Sequence, residues 1–148
     1  MQWDVHRIRF SEHYALDHTS IHSVKAAIGV YFIFLSDLRI PYPMKSSRLI
    51  YIGMSYSKQN GVGKRLWAHR RGHAGNRGIS RYAANHALRF TYHGIDLLQA
   101  TGARNVQELE RFFLSQFEDL HGAHPICNRQ SEDFTPTRFV VVDWTMFD

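Results

Sequence analysis

The chain is 148 residues long, with 44% hydrophobic and 21% charged residues, which excludes a disordered or fibrous protein and predicts one globular domain with a real core. A single cysteine, Cys127, excludes an internal disulfide, and no apolar run reaches membrane-spanning length, so a cytoplasmic protein is expected. A net charge of +5 and a pI near 9.6 direct attention to polyanionic partners, nucleic acid above all.

The opening stretch around residues 3–10 partly alternates and predicts a strand, whereas residues 11–23 are polar, rich in histidine and without a readable period. Ile28 to Leu35 is β-branched and aromatic, the composition of a central strand. Pro41 and Pro43 break the chain into a loop, and a second strand is expected over Arg48–Met54. Asn60, Gly61 and Gly63 mark a turn before a helix over Lys64–Arg71. Gly72, Gly75 and Gly78 predict a loop, followed by a short helix over Ile79–Ala87 and a third strand over Leu88–His93. The strongest helix signal runs from Val106 to about Leu120, between Asn105 with Glu108 as a start and Gly122 as a stop. Arg138–Trp144 suits a last strand. This order predicts an α/β (α+β) fold, a small mixed sheet flanked by helices, with a core over about 28–129 and additions at 1–27 and 130–148.

Charge is segregated along the chain. No Asp or Glu falls between Asp37 and Asp96, where Arg39, Lys45, Arg48, Lys58, Lys64, Arg65, Arg70, Arg71, Arg77, Arg81 and Arg89 all lie. Tyr51, Tyr56, Trp67, Tyr82 and Tyr92 are interleaved among them, a composition suited to nucleic acid because bases stack on aromatic rings while cations meet phosphates. Lys58, Lys64, Arg70, Arg71, Arg77 and Arg81 are the expected backbone contacts, with affinity falling steeply in salt.

Gly29-Val30-Tyr31 on one strand, Tyr51-Ile52-Gly53 on the next, Arg65 and His69 on a helix, Glu110 on a later helix and Asn128 after it resemble the GIY-YIG endonuclease superfamily over roughly residues 28–129. Val30 stands where isoleucine is usual, and the link between the two tyrosine motifs is longer than in compact members. The resemblance implies a magnesium- or manganese-dependent endonuclease, with DNA favoured over RNA and one ion bound by Glu110. It also implies that Tyr31 activates water, helped by Tyr51 or His69, that Arg65 steadies the phosphoryl oxygens, and that Asn128 supports the geometry. A non-cleaving nucleic-acid module of the same fold is the alternative.

The residues themselves give reasons for these roles. Arg65 and His69, spaced i, i+4, project side by side from a helix, and a guanidinium fork matches phosphate oxygens. At 100° per residue Glu110 falls within the apolar arc of Val106, Leu109, Phe113, Leu114 and Phe117, while Glu108 and Glu118 fall outside it. A carboxylate facing a core must be paired, protonated or metal-bound, and an ion pair with Arg65 is the competing expectation. Tyr31 and Tyr51 have packing as an alternative role, and a phenol serves as a base only where positive charge favours its phenolate. His18 with His22 and His69 with His73 have a spacing that can hold zinc, but neither has the glutamate of a metalloprotease. Gly61-Val62-Gly63-Lys64 lacks the full spacing of a phosphate loop, and Cys127 is expected to be structural. Specificity is expected from the 37–48 and 72–78 loops or from the termini.

Overall fold

The computed structural model of the protein describes residues 6–129, 134, 136 and 139–148. Its centre is a four-stranded antiparallel sheet in the order β2 (Tyr14–Ala15), β5 (Leu88–Gly94), β3 (Gly29–Leu35), β4 (Leu49–Ser55). A separate parallel pair, β1 (His6–Ile8) with β6 (Val140–Val142), joins the two ends of the chain. The fold is α+β as expected, with the parallel and antiparallel pairings in separate sheets.

All seven residues of β3 are buried, because β3 is paired on both sides and covered on both faces. Its alternation therefore sorts two kinds of neighbour. Phe32 meets the ring of Phe113 on helix α5 (Val106–His121), and Tyr31 meets His69 on helix α2 (Val62–Arg70). The two helices thus lie against opposite faces of the sheet.

Helix α5 starts where Asn105 Oδ1 accepts from the Glu108 amide at 2.9 Å and stops at Gly122, with φ of 87°. The Glu108 carboxylate folds back onto the Arg104 amide and guanidinium, so it is enclosed rather than projecting from the polar face. Two short helices carry too few residues to show a period: α1 (His18–Ser23) and α4 (Leu97–Thr101). Between α2 and β5 lies α3 (Arg77–Asn85), two residues earlier than expected because Asn76 caps it.

The glycines at the start of α2 serve packing. A Cβ on Gly61 would lie 2.8 Å from Ala26 Cα, and one on Gly63 would lie 2.7 Å from Lys25 Cα. That proximity lets the carbonyls of Ala27 and Val24 accept the first amides of α2, at 2.7 and 2.9 Å. These amides are engaged within the protein, which removes the remaining argument for a phosphate loop there.

Of the expected last strand, Val140–Val142 is observed; residue 138 lies outside the described residues, as do residues 3–5 of the first. Both ends belong to the common core: Phe10 contacts Phe32, Trp144 and Phe147. Arg48 anchors the C-terminal residues by hydrogen bonds to the carbonyls of Leu35, Ser36, Met146 and Asp148. Arg89 is likewise bound to His13 Nδ1 at 2.7 Å and Lys45 to the Asp148 carboxylate at 3.2 Å, so several of the eleven bases serve the fold.

Candidate active site

Tyr31, fully enclosed, directs its hydroxyl toward α2, where it lies 3.0 Å from His69 Nε2. Room for its ring comes from Gly53, the cross-strand partner of Tyr31 on β4: a Cβ there would lie 2.5 Å from Tyr31 Oη and 2.7 Å from Cε2. The glycine of Tyr51-Ile52-Gly53 is therefore the seat of the tyrosine of Gly29-Val30-Tyr31. Tyr51, two residues along β4, turns its half-buried ring to the same side, 5.0 Å from His69 between centroids.

Burial lowers the pKa of His69 to about 4, and the charge of Arg65 adds to that, so the imidazole is neutral at pH 7. Burial raises both phenols above their ordinary value. For Tyr51 the nearby Glu110 carboxylate adds to the rise, while Arg65 and a hydrogen bond with Tyr31 oppose it. The Tyr51 ring on the cleft wall stands 6.1 Å from that of Tyr31 between centroids, and Tyr31 in turn reaches the neutral imidazole.

Glu110 reaches this place from the opposite face of the sheet. Its carboxyl is raised to about 7 by burial, against the opposing charges of Arg111 and Arg65. No hydrogen bond or ion pair joins it to any described residue, and the expected alternative of an ion pair with Arg65 is not observed. Arg65 is also incompletely satisfied, its buried Nε having no hydrogen-bond partner. An acid and a guanidinium held near each other, each with unused capacity, can accept something placed between them.

Asn128 acts on the backbone. Its Oδ1 accepts from Ile52 N and its Nδ2 donates to Ile52 O, both at 2.8 Å. Together with the Cys127 amide bonded to Ile50 O, this segment covers the free edge of β4. Asn128 therefore positions Tyr51 and Gly53 by clamping the residue between them. Replacing it with Ala should leave both backbone groups of buried Ile52 without partners and cost about 2 kcal/mol. Chemical denaturation would read this, and a change under about 0.5 kcal/mol would remove the clamp from the account.

These side chains line one cleft of about 680 Å³ that straddles the β4 edge. Tyr51, Arg65, His69, Glu110 and Asn128 all face it; Tyr31 stands behind its wall. The cleft also receives Asn76, Arg77 and Arg129. Sequence reading missed Asn76, which caps α3 through the Ile79 amide and donates to Cys127 O at 2.9 Å, tying the glycine loop to the Asn128 segment. It missed Arg129 too, although adjacency to Asn128 was a signal. Cys127 lies on the wall with its thiol pushed up to about 11 by burial, an inert form.

The six expected backbone contacts do not lie together. Arg77 faces the cleft, whereas Arg81 lies by a separate hollow on α3 with Tyr82 and His86, and Lys58 is exposed in the turn before α2. Lys64, Arg70 and Arg71 surround Trp67, away from Arg65 and His69.

Among the described residues no group of three or more His, Cys, Asp or Glu side chains gathers as a metal site, and no helix is long and apolar enough to cross a membrane. Comparison with protein-family models, curated proteins and solved structures finds no match for this chain.

Proposed function

We propose that the protein is a metal-dependent endonuclease of the GIY-YIG type, hydrolysing phosphodiester bonds in nucleic acid, with DNA favoured over RNA, in the cytoplasm. The observation that carries this reading is the unpartnered Glu110 carboxyl facing Arg65, Tyr51 and His69 across one open cleft. The single free cysteine accords with a reducing compartment.

The donor set suits magnesium or manganese. Magnesium keeps several waters and is held by one or two carboxylates plus substrate phosphate, and Glu110 offers one carboxylate with no competing partner among the described residues. Bound there, the ion would polarise the phosphate and stabilise the leaving oxygen.

The protein's own residues supply the rest. Arg65, with a free Nε and a fork matched to phosphate, holds the phosphoryl oxygens and meets the charge that gathers on them. Tyr31 lies too deep to touch water in the cleft, so a proton leaving the attacking water passes by Tyr51 and Tyr31 to His69 Nε2. Neutral His69 is the terminal acceptor, which relieves either phenol of standing as a free phenolate. Proton transfer along positioned groups of this kind contributes typically 10²–10⁴-fold.

The test is a panel of single-stranded, duplex and branched DNA and RNA with Mg²⁺, Mn²⁺ or EDTA. Metal-dependent cutting of at least one substrate is expected. Binding without cutting under every metal condition would favour a non-cleaving module of the same fold.

A further inference from the structure

A second hollow, of about 390 Å³, lies between α1 and α2, lined by His18, His22, Lys25, Lys64 and Trp67 with Ile21 at its floor. Its position follows from helical spacing. On α2, Lys64 and Trp67 fall roughly opposite Arg65 and His69, so this hollow and the cleft occupy two sides of one helix.

Three features give it a chemistry. It has no acidic lining, and Asp17 beside it is engaged as the α1 cap, with Oδ1 accepting from Ser20 N at 2.9 Å. The half-buried indole of Trp67 is flanked by the guanidinium groups of Arg70 at 5.3 Å and Arg71 at 5.7 Å. His18 stands edge-on to the indole at 5.1 Å, and the rings of His18 and His22 are parallel within 3°. Lys64 gives one hydrogen bond, to Gln59 O at 3.2 Å. An aromatic platform bordered by four cations, with only the capping carboxylate of Asp17 near one of them, Arg70, suits a ligand that alternates flat bases with phosphates.

We propose that this hollow binds an unpaired nucleic-acid strand outside the cleaved bond, with a base on Trp67 and phosphates on Lys25, Lys64, Arg70 and Arg71. The pairing of a nearby cleavage site with this strand site rests on the nuclease reading; the binding of the strand does not. An α-helix with its side chains is about 10–12 Å across, and a stacked strand advances about 3.4 Å per nucleotide, so the two sites lie roughly three to four nucleotides apart. Base stacking requires an unpaired base, so single strands and frayed ends are the preferred form.

The test uses fluorescence anisotropy of a labelled 30-nucleotide single strand and the matching duplex, in EDTA so that nothing is cut, across a salt series. Trp67→Ala should weaken single-strand binding about tenfold and duplex binding less, while Trp67→Phe keeps a ring and most of the affinity. Lys25→Gln with Lys64→Gln, both at exposed positions, should reduce the salt slope for the single strand by about 1.4. Should Trp67→Ala fail to fold, the lysine pair carries the test alone. Unchanged affinity and slope in the lysine pair overturns the proposal. So does loss of binding to phosphatidylserine vesicles with nucleic-acid binding intact, which would give the hollow to a membrane surface. The metal-dependent cleavage panel separates the two readings. Groove-dependent binding without cleavage leaves this inference standing alone, and cleavage with groove-independent binding leaves only the nuclease.

Discussion

Glu110→Gln is expected to abolish cleavage, by at least about 10³-fold, while nucleic-acid binding persists and the fold becomes more stable at alkaline pH. The activity loss follows from removing the one cleft carboxylate among the described residues: metal stabilisation of transition-state charge is worth several kcal/mol, and each 1.36 kcal/mol is tenfold in rate. The stability gain follows from linkage. The carboxyl has an ordinary value of 4.5 and is raised to about 7 by burial, so the native state holds its proton more tightly than the unfolded chain does. Stability contributed by this group is present below about pH 4.5 and is lost as pH rises through 7. Glutamine never ionises, so the advantage of the variant should grow from pH 5 to pH 8 toward a ceiling of roughly 3 kcal/mol.

His69 acts in the reverse sense. Its lowered value makes the native state resist a proton the unfolded chain accepts, so stability falls as pH drops from 6.5 toward about 4, in both wild type and variant. Thermal melts across pH separate the two, because only the Glu110 contribution appears in the difference between the proteins. Adding Mg²⁺ at pH 8 should raise the melting temperature of wild type alone. Equal stabilisation of both proteins, or cleavage by Glu110→Gln at the wild-type rate, would detach Glu110 from the metal and from the chemistry.

The parts of this molecule that could be read from residue order are those whose local pattern and tertiary environment agree. Gly29–Leu35 is strand-like because a doubly paired strand tolerates only apolar side chains, and Val106–His121 shows its period because it is long enough to bury one face. Residues 11–23 are opaque for the opposite reason. A two-residue strand and a six-residue helix leave no period to detect, and their polar histidines carry no hydrophobic signal. Helical spacing sets Lys64 and Arg70 on the side of α2 away from Arg65 and His69, so nearness in sequence does not by itself make these bases one surface. Glu108 falls outside the apolar arc of α5 and is nonetheless enclosed, because a helical wheel cannot register a carboxylate folding back onto its own helix start. The depth of Tyr31 could not be read at all. On a strand buried throughout, alternation assigns a face but says nothing of distance from water.

That depth makes Gly53→Ala the sharpest structural test of the site. The added Cβ meets the Tyr31 ring at 2.5–2.7 Å, and the ring has no space to retreat, being fully enclosed between Tyr51 and His69. Overpacking of this kind costs about 1–3 kcal/mol, and a displaced hydroxyl loses its hydrogen bond to His69 for about 1 kcal/mol more. A total of roughly 2–4 kcal/mol is expected, with cleavage falling well beyond what the unfolded fraction explains. Alanine in a strand carries no such penalty by itself, so the effect should depend on Tyr31. In a Tyr31→Ala background the same substitution fills space instead of contesting it, and the double-mutant cycle should show coupling of at least about 1.5 kcal/mol. Additive costs would mean that Gly53 serves the strand alone. The two motifs would then be neighbours on a sheet without forming one device, and the path from Tyr51 through Tyr31 to His69 would lose its geometric basis.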